Sequence, residues 1–167
     1  VGDYQGSHFD YQQAIAHNPD FALAYNNMGS VKIQMGDYSG AIEDYTMALE
    51  LDPSLSIALN NRGYARFFTE DKEGALMDFN AAITSGNLMA SAKLNKASLM
   101  AGDGQLVPAL SLLDETLLEH PDEALLYLNR GLVRELTGDL TGACEDWHRA
   151  IELGAEEAKE FINECGR

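Results

Sequence analysis

Four asparagines recur at a constant interval of 34 residues, and their amides are the groups in this chain best suited to holding another polypeptide. The column consists of Asn27, Asn61, Asn95 and Asn129. A side-chain amide carries N–H donors and an accepting oxygen, so one amide can pair with both polar groups of a peptide bond. Four amides on one surface would form a ladder along an extended segment.

Residues for catalysis or metal binding form no comparable pattern. The histidines are scattered along the chain, at His8, His17, His120 and His148, and no Cys or His pair has the spacing of a zinc site. The glycine-containing segment 101–104 is too short for a phosphate-binding loop. Repeated carboxylates are typical of a solvated helix face rather than of a catalytic pair. The sequence therefore predicts a protein that is not an enzyme and has no metal or cofactor.

The same interval orders the rest of the chain. One column holds small residues, namely Gly29, Gly63, Ala97 and Gly131, and another holds bulky ones, namely Tyr45, Phe79, Leu113 and Trp147. Apolar residues recur three and four apart, which is the period of a helix with one buried stripe. Turn residues such as Gly36-Asp37 separate the helices of a pair. Full units run over 22–55, 56–89, 90–123 and 124–157, and residues 1–21 supply the second half of another.

These columns resemble the tetratricopeptide repeat, which pairs a small residue on a first helix with alanine, aromatic and alanine on a second. The resemblance spans nearly all 167 residues. It implies an all-α fold, a right-handed superhelical solenoid of antiparallel helix pairs, in a single domain over 1–167. Four full repeats would follow the leading half repeat, and residues 158–167 would form a capping helix. The 90–123 repeat departs most from the pattern, so we expect altered packing there.

The resemblance implies a non-catalytic interaction scaffold that binds an extended peptide or partner segment in its concave groove. The asparagine column is similar to the asparagine ladder in the tetratricopeptide domain of O-linked N-acetylglucosamine transferase, whose amides hold a peptide main chain. We therefore predict peptide contacts at the ladder and at the adjoining Asn26 and Asn60. The alternative role for the column is a hydrogen bond to a neighbouring repeat, with no ligand.

Aromatic side chains beside the ladder predict selectivity. Tyr64 and Phe68 lie with Phe67 near the end of one first helix. Three rings so close together cannot all point into the core. We expect Tyr64 or Phe68 to reach the groove as an anchor for the ligand.

Basic residues concentrate in the first-helix segments, which hold seven of the eleven in the chain. Across the hairpin turn, Arg62 is expected to pair with Asp78, and Arg130 with Asp146. A groove lined by the first helices would still be less negative than the remaining surface.

Lys96 lies in the same column as these arginines but faces Leu112 instead of an acid. It is therefore the predicted contact for a carboxylate of the ligand. A second basic column, Lys32, Arg66 and Arg134, is predicted to be a solvated or snorkelling set rather than a ligand site.

The formal net charge of −16 argues against direct binding to a nucleic-acid backbone or an anionic membrane. No stretch approaches the roughly 20 apolar residues that a membrane-spanning helix needs, so membrane insertion of this segment is not expected. The predicted partners are proteins or peptides.

Cys144 and Cys165 lie at similar distances from the turn around Gly154, where an antiparallel hairpin would bring them face to face. The predicted disulfide needs an oxidising compartment and favours a bacterial periplasmic or secreted protein. The alternative is two free thiols in a cytoplasmic protein.

The chain opens without the first helix that would cover Tyr11 and Ala14, so we expect a further segment upstream of Val1. This gives two alternatives to peptide binding. One is a structural subunit of an assembly that uses the uncovered N-terminal end and the convex face. Self-association through the incomplete N-terminal repeat would be one form of such an assembly. The other is a regulatory appendage of an enzyme encoded upstream.

Overall fold

The structure is a computed structural model that describes residues 4–86, 89–162 and 165. Regular secondary structure is helical throughout these residues, which confirms the all-α prediction. The chain divides into two compact units, Val1–Ala92 and Lys93–Arg167.

The first unit is built from helix pairs in the predicted register. Its helices are α1 (Tyr4–His17), α2 (Ala22–Gln34), α3 (Tyr38–Leu51), α4 (Ser56–Phe68) and α5 (Lys72–Ser85). Each helix packs against the next, and α2 also touches α4. The pairs α2/α3 and α4/α5 coincide with the repeats predicted at 22–55 and 56–89.

The second unit repeats this arrangement. The helices are α6 (Met89–Gly102), which belongs to this unit from Lys93 onward, α7 (Leu106–Glu119), α8 (Ala124–Leu136) and α9 (Leu140–Glu152), followed by a 3-10 helix at Glu156–Glu160. Contacts join α7 to α8, α8 to α9 and α9 to the 3-10 helix. The expected antiparallel helix pairs are thus present in both units.

Three of the second helices begin with an aspartate N-cap that is followed three residues later by a glycine. At α5, Asp71 Oδ1 accepts a hydrogen bond from Gly74 N at 3.0 Å, which satisfies a donor that the first turn of a helix leaves unpaired. A Cβ at Gly74 would lie 2.2 Å from the Asp71 carboxylate, so glycine makes room for the cap. Asp37 caps α3 and Asp139 caps α9 in the same way.

In three of the helix pairs, a glycine on the first helix lies directly against an aromatic ring on the second helix. A Cβ added at Gly63 would meet Phe79 at 2.7 Å, and one at Gly131 would meet Trp147 at 2.4 Å. Both rings are almost fully buried. The same relation holds for Gly29 and the ring of Tyr45. The close approach of the helices therefore requires the small column that the sequence shows.

A short helix of the 3-10 type, Glu156–Glu160, occupies the place of the expected capping helix, whose predicted range also includes 163–164 and 166–167, outside the described residues. Phe161 stacks on Trp147 with ring centroids 5.3 Å apart. Cys144 and Cys165 are joined in the predicted disulfide, with Cα atoms 5.6 Å apart. The segment thus covers the end of the α8/α9 pair.

Within the described part of the chain, every helix is too short or too polar to cross a membrane. The same residues contain no cluster of His, Cys, Asp or Glu side chains that could hold a metal ion.

Candidate functional site

Each first helix presents a partly exposed stripe of side chains with a ladder asparagine in it. Residues four, three and four apart lie on the same side of a helix. On α4 the stripe is Ile57, Asn61, Tyr64 and Phe68, and every member is at least partly exposed. The two rings are large, with Tyr64 38% and Phe68 46% exposed. This helix face is therefore both apolar and able to form hydrogen bonds.

The corresponding stripe on α2 is more polar. It consists of Leu23, Asn27, Ser30 and Gln34, all partly or well exposed. Because α2 touches α4, the two stripes lie on neighbouring helices of the first unit. Together they are called the first-unit surface below.

In the second unit, α8 carries an aliphatic version of the stripe. Its members are Leu125, Asn129, Leu132 and Leu136, and Leu136 is 64% exposed. Ser98 Oγ on α6 donates to Asn129 Oδ1 at 3.2 Å and links the two first helices. The ladder residue thus lies between two leucines here and between Ile57 and Tyr64 on α4.

The ladder amides also connect neighbouring repeats. Asn61 Nδ2 donates to Asn26 Oδ1 at 3.3 Å, and Asn26 Nδ2 donates to Asn27 Oδ1 at 3.1 Å. Asn129 accepts from the preceding repeat and donates to its own helix, at Leu125 O. The alternative role of the column is therefore observed at Asn61 and Asn129. Both amides are still partly exposed, so a ligand can reach them.

Asn26 and Asn60 lie beneath this surface rather than on it. Asn26 is 2% exposed, and Asn60 is also buried. Burial excludes the direct peptide contact that was predicted for them, because the packing of adjacent helices covers their side chains. Asn26 instead supports the ladder, since its amide joins Asn27 to Asn61.

The basic residues of the first unit pair with buried aspartates on the second helices. Arg62 donates two hydrogen bonds to Asp78, at 2.9 and 2.7 Å, which confirms the predicted pair. Arg66 adds another at 2.8 Å. Asp78 is buried, so its charge depends on these two partners.

The second unit contains the equivalent cluster. Arg130 donates two hydrogen bonds to Asp146, at 2.9 and 2.6 Å, again as predicted. Arg134 approaches the same carboxylate to 3.0 Å, and Asp114 pairs with Arg130 from α7. The hydrogen bond to Asp146 raises the pKa of Arg130 above its usual range, so this guanidinium remains charged.

The prediction that Lys32, Arg66 and Arg134 form a solvated or snorkelling set was wrong, because their charged ends pair inside the protein. Lys32 Nζ lies 2.8 Å from the buried Asp44, and all three side chains donate to a backbone carbonyl at the start of the second helix. Burial raises the pKa of Asp44, and its ion pair with Lys32 opposes that rise. The excess of basic residues on the first helices is therefore largely balanced inside the pairs.

Lys96 faces a different environment, because Leu112 stands where the aspartate would be. Its side chain is partly buried and takes part in an interaction within the protein, as does Asn95. Ligand contacts at these two residues stay predictions.

The predicted aromatic cluster on α4 is confirmed, and it has a fourth ring from the preceding repeat. Phe68 lies 4.8 Å from Tyr64 and 5.4 Å from Phe67, between ring centroids. Tyr38, the first residue of α3, stacks on Phe68 at 4.8 Å with only 4° between the ring planes. These four rings are called the aromatic face below. The place of Tyr38 in the cluster is not visible in the sequence, because 30 positions separate it from Phe68.

Comparison with known proteins gives a consistent result. The family model described as Tetratricopeptide repeat matches residues 22–55. Human Tetratricopeptide repeat protein 36 is 39% identical over 67 residues, which are 40% of this chain. The match spans 35% of the length of that human protein.

Three solved structures resemble the whole chain. MamA is 23% identical with a TM-score of 0.75, covering 95% of this chain and 92% of its own. PilW, described as a widely conserved type IV pilus biogenesis factor, is 21% identical with a TM-score of 0.82, covering 97% and 80%. A chain of the APC/C hetero-tetramer Cut9–Hcn1 is 14% identical with a TM-score of 0.85, covering 92% and 30%. At these identities the likeness shows the fold alone.

Proposed function

The chain is a tetratricopeptide repeat protein, and from that premise we propose that it binds an extended peptide segment of a partner protein on its first-helix stripes. Tetratricopeptide proteins typically mediate protein–protein interactions, act as scaffolds and are generally non-catalytic. The proposed mechanism is therefore positioning by a preformed surface, with no catalytic step. Ladder amides would hold the main chain of the ligand, and the side chains beside them would select its sequence.

The α4 stripe is the observation that carries this proposal. Asn61 is partly exposed and lies between Ile57 and Tyr64 on one helix face. Its bond to Asn26 uses one of two N–H donors, so the amide can still donate to a ligand carbonyl. Contacts with the exposed apolar side chains supply affinity, and hydrogen bonds to the amide fix the orientation of the ligand main chain.

A displayed library of random 12-residue peptides tests the proposal. Peptides selected on the wild-type protein are labelled and titrated by fluorescence anisotropy against Asn61→Ala. One lost hydrogen bond is worth about 1 kcal/mol, or roughly fivefold in affinity. Asn80→Ala is the matched control, because it removes an exposed amide from the second helix of the same repeat. We expect the control to bind like the wild type.

Two results would contradict peptide binding through the ladder amides. One is recovery of no peptide by a protein that circular dichroism shows to be helical. The other is equal affinity of the wild type and Asn61→Ala for every selected peptide.

A structural role in an assembly is the second candidate, favoured by apolar side chains exposed on second helices. Leu118 on α7 is 85% exposed, and Val107 on the same helix and Met77 on α5 are also well exposed. Size-exclusion chromatography with light scattering tests this candidate. A mass that rises from that of one chain with concentration, and returns to it in Val107→Ser/Leu118→Ser, would support it.

We further propose that the protein resides in an oxidising compartment, such as a bacterial periplasm or the secretory route. The Cys144–Cys165 pair supports this, because disulfides rarely persist in the cytosol. A thiol count on unreduced native protein should find no free thiol. Two free thiols would favour the cytoplasm instead.

A further inference from the structure

The aromatic face is the largest exposed group of rings among the described residues, and it lies beside a ladder asparagine. Phe68 is at its centre, with the ring of Tyr38 parallel to it and the ring of Tyr64 tilted by 51°. Phe68 and Tyr64 remain substantially exposed despite these contacts. Tyr38 covers one face of Phe68, and the exposed parts of Phe68 and Tyr64 remain accessible to a ligand.

Carboxylates adjoin these rings in the chain. Asp37 directly precedes Tyr38, and Glu70 and Asp71 follow Phe68 by two and three residues; all three acids are exposed. Residues 1–92 carry twelve acidic residues against four basic ones, which are Lys32, Arg62, Arg66 and Lys72. The unit that carries the aromatic face therefore has eight more acidic than basic residues.

The cation nearest to these rings in sequence is already paired. Arg66 lies 2.8 Å from Asp78 and 3.4 Å from Asp71. Lys32 and Arg62 likewise pair with the buried Asp44 and Asp78. Three of the four basic residues of the unit therefore balance its own acids, and their positive charge does little to repel a cationic ligand.

We propose that the aromatic face binds an arginine or lysine side chain of the peptide held on the first-unit surface. The inference rests on the proposed function and specifies the ligand. A ring attracts a cation through the negative potential of its face, and a guanidinium also stacks on rings. The neighbouring carboxylates favour the same charge, so the ligand of this unit is a basic peptide.

The peptides selected from the random library provide the first test. We expect arginine or lysine to be enriched at one position on the wild type, and the enrichment to disappear with Phe68→Leu. Leucine keeps the apolar volume but removes the π face. Phe9→Leu is the matched control, because it changes an exposed ring on α1, a helix that carries no ladder asparagine. The control should keep the enrichment.

A second measurement isolates the charge. A selected peptide is resynthesised with citrulline, a neutral analogue of similar shape, in place of the enriched arginine or with norleucine in place of lysine. We expect a five- to tenfold loss of affinity on the wild type and less than twofold on Phe68→Leu. Asp37→Asn should lower the affinity for the cationic peptide by about twofold, since asparagine keeps the helix cap and removes the charge.

The outcomes separate this inference from the proposed function. Peptides that bind through Asn61 without enrichment of basic residues, or with an enrichment that Phe68→Leu leaves unchanged, would overturn the inference and leave peptide binding intact. Selection of purely apolar peptides would do the same. Recovery of no peptide by the folded protein would remove the proposed function, and this inference with it.

Discussion

The repeats at 56–89 and 124–157 share one scaffold but present different surfaces. In both, a glycine lies against a buried ring, an aspartate caps the second helix, and an arginine pairs with a buried aspartate through two hydrogen bonds. Their exposed stripes differ, because Tyr64 and Phe68 on α4 correspond to Leu132 and Leu136 on α8. Packing restricts the scaffold positions, whereas the stripe positions can change without disturbing the helix pair. Selectivity can therefore differ between repeats of one fold.

In the 90–123 repeat, an apolar residue occupies the scaffold position that holds the buried aspartate in the other repeats. Leu112 replaces the aspartate there, and Leu113 replaces the ring. Leu113 is buried with Leu117 and Leu126 in an apolar cluster of the second unit. The repeat that was expected to pack differently does so by exchanging a buried ion pair for apolar contacts.

The largest effect should come from removing the buried aspartates of the shared scaffold. Asp78→Ala and Asp146→Ala each leave two arginines without their main partner, and each should lower the free energy of unfolding by about 4 kcal/mol. Urea denaturation followed by circular dichroism measures the loss. Asp114→Ala is the control, because its carboxylate is 54% exposed and the change should be under about 1 kcal/mol. A large loss at only one of the two aspartates would mean that the repeats do not share a scaffold.

The second largest effect on stability is expected in the second unit, since its disulfide has no counterpart at 56–89. Cys144→Ser/Cys165→Ser should lower the free energy of unfolding by about 3 kcal/mol, because it releases a loop of about 20 residues. Trp147 is the only tryptophan, so its fluorescence should shift to longer wavelength as Phe161 leaves it. Reduction of the wild type should reproduce the shift. Unchanged fluorescence in both experiments would show that the disulfide does not hold the 3-10 segment on the repeat.

The glycine–ring contact provides a smaller and paired test. Gly63→Ala and Gly131→Ala should each destabilise the protein by about 2 kcal/mol through overpacking. The loss should be greater at Gly131, whose added Cβ would lie nearer to its ring. Gly102→Ala is the control, because its Cβ would meet nothing within 4 Å. Thermal unfolding ranks the three variants, and the opposite order of the first two would contradict the packing argument.

The smallest effect on stability should come from exchanging the stripes. Tyr64→Leu/Phe68→Leu gives α4 the aliphatic residues of α8 and should change the free energy of unfolding by no more than about 1 kcal/mol. The peptides selected on this variant should nevertheless differ from those of the wild type. A loss of several kcal/mol would show that the aromatic face is part of the scaffold.

Much of the candidate site could be predicted from the sequence, but not which members face solvent. The ladder column, the rings of α4 and the Arg62–Asp78 pair all follow from residue type and repeat register. Asn26 and Asn27 are adjacent and chemically identical, yet one is buried and the other partly exposed. That difference in burial depends on the position of the neighbouring first helix. The local sequence pattern does not contain this information.

The sequence by itself determined the helix pairs and their boundaries. Helical period, small residues, caps and turns act over a few positions, so a repeat of 34 residues specifies them at each occurrence. The tertiary structure alone decided that Tyr38 stacks on Phe68, that Lys32 bends back to Asp44, and that the C-terminal segment is a 3-10 helix. These features depend on distances between parts of the chain that packing brings together, and packing distances are not encoded in any single repeat.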